Sequence, residues 1–367
     1  MSRSGKPDQA EKQQAMRFAR AGRLADARLI FANICQRDPN DLDAWLNLAS
    51  LNLQLGAPGD AESCLVHILS RDPNSVAALM NMGGLYAAQG RFVEAADYCR
   101  RTLELDPDLP VAHYNLANAL GEQGLIEAAI DSYREALRLD PDHSDSLNNL
   151  GNLLRNTGRL GMAADCFNRI LEMEPGNAAA YNNRGTVEKD MGLLSEAMAS
   201  ARKAWELEPA SHQAASNLLS ILNYVPDLAP VVVYEKHRDW ARSLEKMVDA
   251  HPRHANTPDP DRQLKIGYVS PDFREHSISY FFTPLLMHHD PTRFKTFCYA
   301  LTPSTDGVAR KLQGLAHHWR PIHGLKDAQI TAAIQADGVD ILVDLAGHTG
   351  GNRLPVFAHR PAPVQLS

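Results

Sequence analysis

Cysteine is scarce in this chain, and what there is does not cluster. The 367 residues include five, Cys35, Cys64, Cys99, Cys166 and Cys298, odd in number and far apart. No C-x-x-C occurs, so neither a zinc knuckle nor a redox pair is signalled. Four of the five fall in helical patterns, where a free thiol serves as a small buried apolar group; a reducing compartment is the expectation. Long apolar runs are lacking too. Nothing approaches the roughly 18 consecutive apolar residues of a membrane span. The opening "MSRSGKPDQAEKQQAMRFAR" has no apolar core of a secretory signal. Positive charge is in deficit: 37 Lys and Arg against 44 Asp and Glu give a net charge of −7, which argues against a phosphate backbone as partner. Neither G-x-G-x-x-G nor G-x-x-x-x-G-K-[ST] is present, so dinucleotide and P-loop readings are weak. These absences lead to the expectation of a soluble, cytoplasmic protein with no membrane or nucleic-acid partner, long enough for two or three domains.

Proline, by contrast, is abundant and periodic. Pro39, Pro73, Pro107, Pro141, Pro175 and Pro209 recur every 34 residues, in the contexts "RDPN", "RDPN", "LDPD", "LDPD", "MEPG" and "LEPA". Each ends one amphipathic run and precedes another. Gly56, Gly90, Gly124, Gly158 and Gly192 share a phase suited to a tight turn with positive φ. Ala27, Ala61, Ala95, Ala129, Ala163 and Ala197 share another, small enough for helices to approach closely. This is the 34-residue tetratricopeptide pattern. It predicts a helical solenoid over residues 8–223, six repeats plus a seventh first helix, with a degenerate first repeat (Gln13 at the later asparagine phase) as cap. The asparagines are Asn47, Asn81, Asn115, Asn149, Asn183 and Asn217, one per first helix. Asparagine is a mediocre helix former, and a carboxamide donates and accepts together. A row of six could hold the backbone of an extended peptide; asparagine at this phase could equally serve packing between helices.

The 34-residue phase ends near residue 223. A joint follows over 224–263, with one helix near 231–248 and a proline- and charge-rich linker, "HPRHANTPDPDRQ". Trp240 and Tyr234 could dock that helix; His237 reads as packing or solvated. From 264 to 367, strands alternate with helices. "LKIGYVS", "FKTFCYAL", "WRPIH", "VDILVDLAG" and "APVQLS" read as strands, and the segments between as helices. Such alternation predicts a parallel, doubly wound sheet, whose ligands bind at the carboxyl ends of the strands. The loops there are "PDFREHS", with Asp272 and His276, and "GHTGGNR", with His348. Gly350 and Gly351 would let backbone N–H groups approach an anion or a sugar. A histidine titrates near neutrality, as a general base must, although on position alone one loop histidine is better explained as a solvated side chain. The pairs His288–His289 and His317–His318 read as structural residues at helix C-termini.

The segments "LKIGYVSPDFREHSISYFFTPLL", "FKTFCYAL", "DGVDILVDLAGHTGG" and "FAHRPAPVQ" resemble the protein O-GlcNAc transferase family, including its bacterial and Spindly-like members. The resemblance implies a tetratricopeptide solenoid joined to a two-lobed GT-B glycosyltransferase, of which residues 264–367 would be part of the first lobe. It implies inverting, metal-free transfer of N-acetylglucosamine from UDP-GlcNAc to serine or threonine hydroxyls, with no cofactor beyond the sugar nucleotide. The acceptor would lie in the solenoid on the asparagine ladder. His276 would be the base or a substrate contact, and the segment Gly347–Gly351 would line the cleft, with His348 where some members have tyrosine. In the family "RPAPVQ" leads into the remainder of the first lobe and a second lobe that holds the uridine and pyrophosphate. This chain is therefore expected to lack the donor half and to be inactive alone. Two alternatives stay open: a sugar other than N-acetylglucosamine, such as fucose from GDP-fucose, and a peptide-binding scaffold without catalysis.

Overall fold

The computed structural model describes residues 5–248, 254–259 and 261–367. Part of the expected linker (251–253 and 260) and the first four residues of the polar N-terminus lie outside the described residues. The chain forms two compact units that divide at Pro175/Gly176, inside the repeat array.

Five helical hairpins build the first unit. They are α1 (Gly5–Arg20) with α2 (Leu24–Arg37), α3 (Leu42–Gln54) with α4 (Pro58–Arg71), α5 (Val76–Ala88) with α6 (Phe92–Leu105), α7 (Pro110–Glu122) with α8 (Ile126–Leu139), and α9 (Ser144–Asn156) with α10 (Leu160–Met173). The periodic residues account for both kinds of turn. Within hairpins the chain reverses at Gly56, Gly90, Gly124 and Gly158, with φ of 72–76°, a region side chains with a Cβ rarely enter. Between hairpins the Asp-Pro pair does the work. The N–H of Asp38 donates to Ile34 O at 2.8 Å while its carboxylate accepts the N–H of Asn40 at 3.0 Å, and Pro39 between them has no N–H to satisfy. Asp72 and Asp140 repeat the arrangement. The phased alanines Ala27, Ala61, Ala95, Ala129 and Ala163 are fully or almost fully buried, which lets the hairpins close on Phe31, Ile34, Leu65, Ile68, Met82 and Leu85. Each of α3 and α5 also packs on the next first helix, so first helices line one shared side of the unit.

The second unit begins with a sixth hairpin, α11 (Ala178–Asp190) and α12 (Leu194–Leu207), then α13 (His212–Leu222) and α14 (Pro230–Met247). A five-stranded, wholly parallel sheet follows: β1 (Leu264–Ser270), β2 (Phe294–Ala300), β3 (His318–Pro321), β4 (Ile341–Asp344) and β5 (Val364–Leu366), in the order β3-β2-β1-β4-β5. Its helices are α15 (Ser277–His288), α16 (Gly307–Leu315), α17 (Asp327–Asp337) and α18 (Leu354–Ala358). Side chains alternate between the two faces as the pleat requires. Ile266, Tyr268, Cys298 and Ala300 pack with Phe282 of α15 and Leu312 of α16. Val269, Phe297, Tyr299 and Leu342 pack with Ile330 and Ile334 of α17 and Val356 of α18.

The expected solenoid and parallel sheet are both present, and the differences are local. The helix after β1 starts at Ser277, because the His276 ring accepts the N–H of Ile278 and caps it. His288 and His289 do end a helix, but His317 and His318 do not. His317 follows α16 and bonds Thr296 Oγ1 at 2.8 Å, and His318 opens β3. The end of the joint is tied down rather than loose: the Arg262 guanidinium grips both oxygens of Asp340, and Asn256 Nδ2 donates to Gly338 O at 3.1 Å. Burial raises the carboxyl of Asp340, but the donors from Arg262, Lys265 N and Asn256 more than offset it and hold it below the usual carboxylate range. All five cysteines are buried and free, and burial pushes Cys64, Cys99 and Cys166 up to about 11.

One position tests this packing. Gly267 lies on the central strand, and a Cβ there would sit 2.9 Å from Leu342 Cδ1, 3.0 Å from Tyr299 Cε2 and 3.1 Å from Val339 Cγ1. Gly267→Val should destabilise the second unit by ~1–3 kcal/mol in urea unfolding, with the repeat helices of the first unit unaffected.

Candidate active-site loops and asparagine face

In the strand order β3-β2-β1-β4-β5 the winding direction reverses between β1 and β4. The crevice at a parallel sheet's switch point, at the carboxyl ends of the strands, is where such folds bind ligands. The two loops that leave β1 and β4 there are the two marked by the sequence, and they touch: a Cβ on Gly351 would meet Pro271 Cβ at 3.3 Å, and Gly351 has φ of 78°. Glycine is required at that point on both counts.

The loop after β1 is pinned at both ends of its exposed part. Ser279 Oγ donates to Arg274 O at 2.7 Å, and the N–H of Glu275 donates to Asp306 at 2.8 Å. Its backbone donors from Ala309 and Glu275 hold the Asp306 carboxyl below the usual range. Asp272 is buried, accepts from Arg274 at 3.0 Å and lies 3.8 Å from His276 Nδ1. The His276 ring itself is exposed. Its Nδ1 accepts the N–H of Ile278 at 3.3 Å, so in the neutral ring the proton sits on Nε2. The imidazole held in this way presents a donor outward.

The loop after β4 is wound on Asp344, whose carboxylate accepts the N–H of Ala346 at 3.1 Å and of Gly347 at 2.7 Å. Burial keeps that carboxyl above its ordinary range, despite these donors and Ser367 Oγ. His348, expected at the cleft, turns toward the repeats. Its Nδ1 lies 2.7 Å from Ser216 Oγ on α13, and its ring packs edge-on to His237 and against Trp240 of α14. Asn352 is buried and donates to the same Ser216 Oγ at 3.1 Å. Gly347 takes positive φ and Gly350 stands in open space. Of the expected cleft residues, Asp272, His276, Gly350 and Gly351 thus share the switch-point loops, whereas His348 serves as a dock. The joint's aromatics divide likewise: Trp240 is buried with Ala215 and Leu219 of α13, and Tyr234 is exposed. Ser216, Asn352 and Asp344 were not singled out by sequence. A signal for the first did exist, since its phase holds Leu46, Met80, Tyr114, Asn148 and Asn182 in other repeats and only here a small residue.

The six phased asparagines are all half-buried on first helices. In the first unit Asn149 is engaged: Nδ2 donates to Asn118 Oδ1 at 3.0 Å, and Oδ1 accepts from Asn148 at 3.2 Å. Asn47 Nδ2 donates to Asp43 O at 2.7 Å. Asn81 and Asn115 make no side-chain hydrogen bond among the described residues. In the second unit Asn217 donates to Asn182 Oδ1 at 2.7 Å and accepts from Gln213 at 3.3 Å. The ladder therefore mixes inter-repeat clamps with carboxamides that make no side-chain hydrogen bond among the described residues. Among the described residues no helix is long and apolar enough to cross a membrane, and no group of three or more metal-ligating side chains forms.

Comparison with known proteins fits this architecture. Residues 237–367 match the model of glycosyl transferase family 41, and tetratricopeptide repeat models match 18–82, 74–142, 114–178 and 178–211. The tomato (Solanum lycopersicum) protein named probable UDP-N-acetylglucosamine–peptide N-acetylglucosaminyltransferase SPINDLY is 38% identical over 158 residues, 42% of this chain and 17% of that protein. Its Arabidopsis thaliana counterpart is 35% identical over the same shares. A solved point mutant of the Thermobaculum terrenum O-GlcNAc transferase is 35% identical with a TM-score of 0.63, covering 70% of this chain and 49% of that one. The chain thus spans 17% of the length of the curated plant relatives it matches.

The dock carries a pH signature. Burial first, and His237 second, push His348 down from 6.5 to about 4. The native ring stays neutral while the unfolded chain takes up a proton, so the dock's contribution is full above pH 6.5 and is lost as pH falls toward 4. Lowering the pH from 7.5 to 4.5 should cost the second unit about 2 kcal/mol of stability from this group, read as a falling thermal midpoint. His348→Asn, which keeps a neutral partner for Ser216, should flatten that part of the profile.

Proposed function

We propose that the protein, whose tetratricopeptide repeats precede a segment that matches glycosyl transferase family 41, transfers N-acetylglucosamine from UDP-GlcNAc to serine or threonine hydroxyls of proteins held along its repeats. The observation that carries this is the joining, in one chain, of free carboxamides on the repeat face with a switch-point cleft in the family 41 segment. The names of the plant relatives favour N-acetylglucosamine over another sugar.

In this reading each residue has a task. Asn81 and Asn115, one repeat apart and free, each offer a donor and an acceptor to a peptide backbone, whatever its side chains. His276 faces the sugar or the acceptor hydroxyl at the mouth of the cleft. With Nδ1 committed to the helix cap, it acts first as an Nε2–H donor to a substrate oxygen. Serving as base requires the cap bond to give way or the proton to move to Nδ1. Asp272, 3.8 Å from Nδ1, favours that second state, in which a proton sits between ring and carboxylate and Nε2 is free to accept. The glycines of the loop after β4 allow close backbone approach to the donor. The sugar nucleotide supplies both the transferred group and a leaving group whose charge must be stabilised.

The test is a transfer assay with a serine/threonine-rich peptide, run with the donor-binding lobe that the resemblance implies present, and read by mass spectrometry. UDP-GlcNAc should add one N-acetylhexosamine, and His276→Ala should lower the rate about 100-fold or more. Gain from GDP-fucose alone would replace the sugar. No gain from any donor, with peptide binding intact, would leave a scaffold. Peptide affinity, measured by fluorescence anisotropy, should weaken about tenfold in the Asn81→Ala/Asn115→Ala pair.

A further inference from the structure

A cavity of about 370 Å³ opens between α7, α8 and α9 of the first unit, on the side lined by the asparagines. Asn118, Glu122, Tyr133, Asn149, Asn152 and Asn156 supply its polar lining. Inside it, Asn118 Oδ1 accepts from both Tyr133 Oη and Asn149 Nδ2, which fixes the floor. At the rim, Glu122 makes no ion pair or hydrogen bond among the described residues, and neither do the side chains of Asn152 and Asn156. Among the described residues Glu122 is the one charged group lining the cavity, and the lining includes no cation.

This chemistry selects by side chain. An apolar occupant would leave several carboxamides without partners, and an acidic one would meet the Glu122 carboxylate unpaired. A cation would gain charge-assisted hydrogen bonds, stronger than neutral ones. The repeat phase supports a selective role. After the degenerate first repeat, which has Gln13, the ladder phase is asparagine six times in succession, from Asn47 to Asn217, as backbone recognition requires. Seven residues on, the phase reads Gln54, Ala88, Glu122, Asn156, Asp190 and Tyr224, different in every repeat. A constant row beside a variable one is what reading a backbone and then its side chains calls for.

We propose that this cavity is a specificity subsite that takes one lysine or arginine side chain of a peptide lying along the first helices, with Glu122 as its counter-ion. The subsite rests on the peptide-binding reading above.

The test uses the full chain and fluorescence anisotropy at low salt. A single lysine is moved through every position of a serine/threonine/alanine peptide, with norleucine and glutamate peptides as controls. At one register, lysine should bind about fivefold tighter than norleucine, and glutamate weaker than either. The preference should shrink with added salt and vanish in Glu122→Gln, while the parent peptide's affinity is unchanged. Glu122 is exposed, so this variant should melt like the wild type. Binding without a lysine preference at any register, or a preference that survives Glu122→Gln, overturns the subsite and leaves the groove. No binding of any peptide, with Asn81→Ala/Asn115→Ala silent, overturns both.

Discussion

The hydroxyl of Ser216 has no exposure to solvent and two claims on it. Asn352 donates to it, His348 shares its proton, and both come from one loop of the α/β segment. A buried polar group left without partners costs about 1–3 kcal/mol, so the loop has one low-energy position on α13. Everything at the switch point follows from that. The loop's far end, Gly351, sets against Pro271, and Pro271 begins the loop that carries Asp272 and His276. The last repeat helix therefore fixes the glycine loop, and the glycine loop fixes the wall of the cleft. Trp240 and Leu354 add an apolar seal around the polar knot, which lowers the local dielectric and strengthens each hydrogen bond inside it.

The repeats make a different use of polar groups. In the first unit the asparagine at Asn149 holds its neighbour helix, while Asn81 and Asn115 keep their carboxamides unspent. The same residue type is drawn into the solenoid's own cohesion at one repeat and left unpaired at another, and the local neighbours decide which. Where the preceding repeat offers Asn118 and Tyr114, the amide is drawn inward. Where it offers Leu46 and Ser50 instead, as for Asn81, the amide makes no side-chain hydrogen bond among the described residues.

How much of this was legible in the sequence depends on the range of the interactions. The repeats were readable because their determinants are local: glycine at positive φ, the Asp-Pro turn, and alanine at the contact lie within one 34-residue period. The sheet was readable because its central strands β1, β2 and β4 are mostly apolar and alternate with helical segments, and β1 spans the residues expected. What escaped were contacts over long separation. Ser216 and Asn352 are 136 residues apart, and no local pattern links them. His348 lay in the expected loop, but the direction of its ring was set by Ser216, His237 and Trp240, none of which adjoins it in sequence. The end of α16 was misjudged for the same reason: Thr296 on a neighbouring strand captures His317 and draws it out of the helix.

The account stands or falls on the loop's dependence on α13. Amide hydrogen exchange of residues 345–352, compared between the wild type and Ser216→Ala, tests it most directly. Loss of the hydroxyl should speed exchange across those amides by about tenfold while α11 and α12 keep their protection. Unchanged exchange in the loop, or a uniform rise across the whole second unit, would contradict the claim that this one buried hydroxyl positions the glycine loop.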